Sequence, residues 1–247
     1  MPRDRSWPME RWCCCDLWQR CLNRKLNSRE FAAAHDLQLP HLYWSGHRLA
    51  RLPIDNLPEH VVIKPSWGFG GHGTYLLSGT MDLVSGREWK RADLHKKLIQ
   101  ELGPVQRFPY MAEEMLTTEE GAYAQGVEYN FYMFAGHIGA IMPIQRHRSS
   151  FAHYSMYNSD WSPISSPWLT SLELGSAQPA PTSLIEMCEA AQCLGAAVGT
   201  FVRVDLYSTS NGVVFGEFSS TPRSNNLTQF AHEFLGRIWE EKIPELS

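Results

Sequence analysis

The chain has 247 residues, 43% of them apolar and 19% charged, with 22 basic and 26 acidic side chains for a net charge of −4. That length packs one or two domains without disulfide staples, and 9 Trp, 9 Tyr and 11 Phe exclude disorder as the main state. The acidic balance argues against a general nucleic-acid binder, and no apolar run reaches the roughly 18 residues of a membrane span.

The opening segment, MPRDRSWPMERWCCCDLWQRC, is charged and aromatic. It lacks the apolar stretch of a secretory signal, so a cytoplasmic protein is expected. Cysteines at 13, 14, 15, 21, 188 and 193 make no metal or redox spacing. They read as free thiols. Residues 1–25 are expected to form a loosely structured or locally helical arm. Residues 24–37 read as a helix, with Phe31, Ala34 and Leu37 on one stripe, Ser28 as its cap and Pro40 beyond its end.

VVIKP (61–65) and TYLL (74–77) read as strands joined by WGFGGHG (67–73), a hairpin with a long glycine tip. Residues 90–102 are an amphipathic helix, and YMAEEML (110–116) is a strand. Residues 127–146 form two strands around Ala135-Gly136. Residues 147–181 are rich in Ser, Pro, His and Trp, without periodicity, and are expected to be a long surface loop. A helix follows over 182–199, with Leu184, Met187, Cys188, Ala191, Leu194 and Val198 on one face. FVRVDLY (201–207) and GVVFGEF (212–218) form a hairpin, and 230–243 is a closing amphipathic helix. Hairpins separated by helices predict an α+β architecture with mostly antiparallel sheet.

Three elements carry chemistry. Lys64 precedes a loop with glycines at 68, 70, 71 and 73. Exposed backbone N–H groups there can cradle phosphate oxygens, and the lysine adds a point charge. The loop is no P-loop, since no GK[ST] follows, and no dinucleotide fingerprint, since it joins two strands. Asp205 and Glu217 lie on the two arms of one hairpin. Side by side they repel unless a cation sits between them, and carboxylate oxygens suit Mg²⁺ with phosphate and water completing its shell. Arg203 shares the Asp205 face by the period of two. The third element is Glu113-Glu114-Met115-Leu116, where a strand end, an acid and apolar side chains could hold a purine and its ribose. The bland alternatives are a floppy hairpin with a surface lysine for the first, a solvated polar face with an Arg–Asp pair for the second, and a solvated charged edge for the third.

The order of these pieces resembles the ATP-grasp superfamily, most closely its TupA-like (teichuronopeptide biosynthesis) branch. The resemblance runs from about Lys25 to the C-terminal helix. It is carried by VVIKPSWGFGGHG, EYNFYMFAGHIGAI, YNSDWSPI, FVRVDLYS and GVVFGEFSSTP. It implies two α+β lobes whose antiparallel sheets clasp ATP, with the N-terminal substrate domain reduced or absent. The division expected is 1–50 for arm and helix, 51–116 for the small lobe and 117–247 for the large one. It implies Lys64 on the α/β-phosphates, residues 68–73 as a flap, and Glu113 to Leu116 around adenine and ribose. It further implies Arg203 beside the transferred phosphate, and Asp205 and Glu217 on Mg²⁺.

This chain departs from the pattern at three points. Position 219, often Asn, is Ser219, a weaker metal ligand. Asn130 stands where the branch usually has Lys, a charge that Lys25, Arg146 or Arg148 could replace. The short region before VVIKP leaves substrate selection to the arm, to 147–181 and to STPRSNN, or to a partner protein or homodimer. Arg223, a fork for a carboxylate, and Arg146 and Arg148 are the candidate substrate ligands. The activity implied is an ATP- and Mg²⁺-dependent ligase joining a carboxylate-bearing small molecule or peptide to an amine through an acyl phosphate. A kinase on the same fold and a degenerate nucleotide-binding module are the alternatives.

Overall fold

The computed structural model describes residues 9–68, 72–103, 105–148, 151–220 and 226–243. The chain begins with α1 (Met9–Trp12), a 3₁₀ turn at Trp18–Asn23 and α2 (Lys25–Ala33). A first sheet follows: β1 (Leu42–Arg48), β2 (His60–Pro65), β3 (Tyr75–Ser78), β4 (Met81–Asp82) and β5 (Arg87–Glu88), then α3 (Arg91–Leu102) and β6 (Val105–Glu114). A second sheet holds β7 (Val127–Phe134), β8 (His137–Arg148), β9 (Phe151–Tyr154) and β10 (Glu173–Leu174). After α4 (Leu184–Val198) come β11 (Phe201–Thr209), β12 (Gly212–Ser219) and α5 (Gln229–Lys242). The spatial orders are β1-β6-β2-β3-β4-β5 and β10-β9-β8-β7-β11-β12. Every pairing is antiparallel except β9 with β10.

The first sheet buries one face; the second is covered on both, by α4 on one side and, on the other, by a core of Tyr132, Ala140, Met142 and Ile144 with Trp168, Leu169 and Ala231 of α5. In the first, Val61, Ile63, Tyr75, Leu77 and Ala112 pack on Leu94 and Leu98 of α3 and on Leu49, Leu52 and Ile54 of the connector. In the second, Phe131, Met133, Val202, Val204 and Phe215 pack on Met187, Ala191, Leu194 and Val198 of α4. Those four recur at helical spacing, which makes the apolar stripe. Gly195 lets α4 approach closely, since a Cβ there would lie 3.0 Å from the Met133 Cβ. Among the described residues no helix is long and apolar enough to cross a membrane, and all six cysteines are free.

Three expectations are corrected. The described part of the N-terminal arm is locally helical, as one of its two readings has it, but it is built into the second core rather than poorly structured. Trp12 and Leu22 are buried there with Phe31, and Trp12 stands 6.0 Å from Trp18 and 6.3 Å from Phe31, centroid to centroid. Glu30 clamps it, accepting from the Met9 amide at 3.0 Å and the Trp12 indole at 3.1 Å. Ser28 does not cap α2. It lies inside the helix, buried, and its hydroxyl donates back to the Leu22 carbonyl at 2.5 Å.

Residues 147–181 are not a surface loop. β9 and β10 extend the sheet, and Tyr157 exchanges two 2.9 Å backbone hydrogen bonds with Ile141. Trp168 is fully buried between Tyr132 and Phe234, both edge-on at 5.4 and 5.2 Å. The Tyr154 hydroxyl accepts from the Trp168 and Leu169 amides at 2.8 and 2.9 Å. Isolated bridges and single anchors hold this stretch, so no periodicity marks it. Trp168→Ala should therefore cost about 3–5 kcal/mol of unfolding free energy in urea titration, the usual penalty for emptying a tryptophan site. A surface position would lose less than about 0.5 kcal/mol.

Candidate active site

The second sheet carries a polar row on the face away from α4. β11 pairs with β7 on one side and β12 on the other. Asp205 is directly opposite Asn130 and Glu217, and Arg203 is opposite Tyr132 and Ser219. Directly opposed residues share a face, so Asn130, Asp205 and Glu217 form one line across three strands. Val204 and Leu206, on either side of Asp205 in sequence, point into the core on α4. A bulge after Asp205 keeps this line straight. Gly216 fits it for want of a side chain: a Cβ there would lie 2.8 Å from the Tyr207 ring and 3.1 Å from the Asp205 carbonyl oxygen.

Arg203 and Asp205 form a bidentate pair, Nε to Oδ1 at 2.6 Å and Nη2 to Oδ2 at 2.5 Å. Asp205 has no exposed surface and Arg203 is 7% exposed. Burial lifts the Asp205 carboxyl above the ordinary carboxylate range, Arg203 pulls it back, and Glu128 and Glu217 push it up further. Burial opposes the Arg203 charge, but the Asp205 carboxylate outweighs it and holds the guanidinium protonated. Glu217 is more open. Lys25 Nζ lies 2.6 Å from its Oε2, and Arg203 Nη2 is 3.9 Å from Oε1.

Lys25 comes from the start of α2, whose backbone N–H donates to Ser66 at 2.9 Å. Its ammonium also donates to the Gly68 carbonyl at 3.3 Å. The same helix sends Arg29 to Glu113 Oε2 at 3.1 Å, while Lys64 of β2 takes Glu113 Oε1. Burial lowers the Arg29 pKa and Glu113 raises it again. Glu113 is thus buried between two cations and does not line the crevice between the sheets. That crevice is lined by Gln38, Leu39, Glu114, Met115, Leu116, Thr117, Tyr123, Thr209, Asn211 and Val214. The segment just after it is tied to the second sheet, with Ser210 N donating to the Thr118 carbonyl at 3.0 Å and Glu119 accepting from Ser208 Oγ and from the Thr182 amide.

Of the glycine loop, Gly70 and Gly71 lie outside the described residues. Gly68 and Gly73 have φ of 141° and 70°, and a Cβ at Gly73 would stand 2.5 Å from the Tyr110 hydroxyl. Glycine is required there on both counts. Arg223 also lies outside the described residues. Arg146 and Arg148 belong to β8, and their side chains lie outside them too.

Three residues of the site were missed or left without a role. Glu128 accepts from Asn130 Nδ2 at 2.9 Å and from the Tyr207 hydroxyl at 3.3 Å. The period of two from Asn130 marks it. Arg29 stands four residues after Lys25, one helical turn on. Asn23 holds Ser220 through two side-chain bonds of 2.8 and 2.9 Å, which no pattern signals.

Among the described residues no three histidine, cysteine or acidic side chains converge as a metal cage. Asp205 and Glu217 supply carboxylate oxygens, Ser219 a hydroxyl, and Asn130 a buried amide oxygen with no partner among the described residues. This all-oxygen set fits Mg²⁺ when phosphate oxygens and water complete the shell. Lys25, Arg29, Lys64 and Arg203 are matched by the four carboxylates Glu113, Glu128, Asp205 and Glu217, so a polyanion bound here would need a divalent cation to bring its counter-charge.

The family model described as TupA-like ATPgrasp matches residues 22–239, and the chain belongs to that family. No curated protein matches in sequence. VanG D-Ala:D-Ser ligase from Enterococcus faecalis is similar at TM-score 0.51 and 16% identity, over 83% of this chain and 54% of that one. D-alanine–D-alanine ligase from Bacillus anthracis, complexed with ATP, gives 0.53 and 16%, over 87% and 61%. The ADP complex of purK, N5-carboxyaminoimidazole ribonucleotide synthetase, gives 0.55 and 11%, over 84% and 46%. The chain thus spans about half to three-fifths of these structures, and at such identity the likeness is one of fold. The fold is ATP-grasp.

Arg203→Met leaves Asp205 buried without its counter-charge. Unfolding free energy should fall by about 3–5 kcal/mol, and the double variant Arg203→Met/Asp205→Leu should recover most of it. Guanidinium titration of the three variants reads the coupling; additive losses would mean that the pair is not a unit.

Proposed function

We propose that this protein is an ATP- and Mg²⁺-dependent ligase that joins a carboxylate to an amine. One observation carries the reading: the Arg203–Asp205–Glu217 row stands with Lys25 and Lys64 around a glycine hairpin, in a chain of the TupA-like ATP-grasp family. The adenine and ribose occupy the crevice at Glu114, Met115 and Leu116, with Glu113 behind it holding Lys64 and Arg29. Lys64, Lys25 and the backbone of residues 68–73 take the phosphates. Lys25 supplies the positive charge that Asn130 does not.

A divalent ion bound at Asp205 and Glu217 supplies charge neutralisation on the terminal phosphates. Arg203 sits beside the phosphoryl group as it transfers, and Asp205 holds the guanidinium in one orientation. The substrate carboxylate attacks that phosphoryl group, ADP leaves, and the acyl phosphate is captured by the amine with release of phosphate. Positioning and charge neutralisation supply most of the acceleration in such transfers. Arg223, Arg146 and Arg148 are the candidates to hold an anionic group of the substrate. The structural neighbours, a D-Ala:D-Ser ligase and a D-alanine–D-alanine ligase, support an amide-forming reaction.

ADP release measured against pools of carboxylates and amines tests this. A ligase releases phosphate only with both substrates present. A stable phosphorylated product from one substrate would make the protein a kinase, and nucleotide binding without turnover would make it a binding module. Glu217→Gln should fold as wild type and lose turnover by orders of magnitude. Lys64→Ala should weaken ATP in calorimetry by about tenfold or more, the worth of one charge-assisted contact, and leave acceptor binding nearly unchanged.

A further inference from the structure

Asn130 lies at the centre of the second sheet with no exposed surface. Its amide nitrogen donates to Glu128 Oε1 at 2.9 Å, while its oxygen has no partner among the described residues. Leaving a buried amide oxygen unpaired costs about 1–3 kcal/mol. The amide cannot escape by turning over. Glu128 is an acceptor only, so a flipped amide would set oxygen against carboxylate. The bond to Glu128 therefore fixes which end of Asn130 is free, and the free end is an acceptor.

The residue directly opposite it is Asp205, and opposite Asp205 is Glu217. Neither carboxylate can donate to the amide oxygen, and the Arg203 fork is spent on Asp205. An amide oxygen and two carboxylates in one row are all acceptors, so a donor or a cation must serve the amide oxygen, and two neighbouring carboxylates favour the cation. Ser219 is placed less well, because it faces Arg203 rather than Asp205.

We infer that Asn130 is a metal ligand of this chain: its amide oxygen supplies a third protein oxygen to a divalent ion shared with Asp205 and Glu217. The inference rests on the metal-dependent reading above and deepens it. A lysine at 130 would put an ammonium in that row, whereas asparagine puts an oxygen there. In this chain the positive charge comes instead from Lys25 on α2, which stands against Glu217. Glu128 is then a positioning residue, orienting the amide.

Mn²⁺ titrated into the full chain with saturating ADP, free Mn²⁺ being read by electron paramagnetic resonance, tests it. Wild type should bind one ion in an ADP-dependent way. Asn130→Ala should weaken that binding by about tenfold or more, the scale of losing one contact at a metal site. Asn130→Asp keeps the oxygen and loses the donor to Glu128, so it should bind Mn²⁺ as tightly as wild type or tighter. Circular dichroism and melting establish that each variant is folded, and the Asn130→Asp arm decides the matter if Asn130→Ala is not. Unchanged affinity in Asn130→Ala overturns the inference, since a water would then serve the amide. Equal loss in Asn130→Asp overturns it too, because the amide would then act only through Glu128. Wild type that binds no Mn²⁺ with ADP overturns the metal-dependent reading itself, a result distinct from either of these.

Discussion

A carboxylate with no exposed surface stays charged only beside a counter-charge held in fixed geometry. Asp205 has that in Arg203, two residues along the same strand and on the same face. The period of two makes the pair possible, and the flanking strands make it rigid. β7 and β12 pin β11 from both sides, so neither side chain can swing to solvent. The other polar groups of the row take their positions from the two strands that flank this pair. Glu217 stands opposite Asp205 because the Gly216 bulge restores the register there. Glu128 and Asn130 stand beside it through β7.

The first sheet reaches this row through α2 rather than through a strand. One turn of helix separates Lys25 from Arg29, so both project to the same side. Lys25 meets Glu217 of the second sheet, and Arg29 meets Glu113 of the first. The helix itself is seated in the second core by Phe31 and Ala32. Its backbone meets Ser66 at the base of the glycine loop. A segment that precedes both sheets in the chain thus ties their charged groups together, and its own anchor is the aromatic contact of Phe31 with Trp12 and Trp18.

Much of the site was legible for a simple reason. Hairpin geometry is local: Arg203, Asp205 and Glu217 lie within one hairpin, and the alternation of VRVDLY assigns their face without knowledge of the rest. Lys64 and its glycines are likewise contiguous. The pairing of Lys64 with Glu113 was not legible, because β2 and β6 meet across about fifty residues of intervening chain. Without that pairing Glu113 reads as part of the crevice. With it, Glu113 turns toward the cations and leaves the crevice to Glu114, Met115 and Leu116.

The amino-acid sequence by itself determined the elements whose signals are short-range. These are the α4 stripe, the β2–β3, β7–β8 and β11–β12 hairpins, the α+β class and the acidic row with its arginine. Tertiary structure alone decided whatever depends on a distant partner. It built the N-terminal segment into the core through Trp12 and Leu22, which lie in no periodic pattern. It folded residues 151–174 onto the sheet edge by isolated anchors such as Trp168, where the polar composition reads as a surface loop. It also left the Asn130 oxygen unpaired, which follows only when Glu128, Asp205 and Arg203 are all in place around it. Local sequence sets which way a side chain leaves its strand; what it meets there is set by the strands that long-range packing brings beside it.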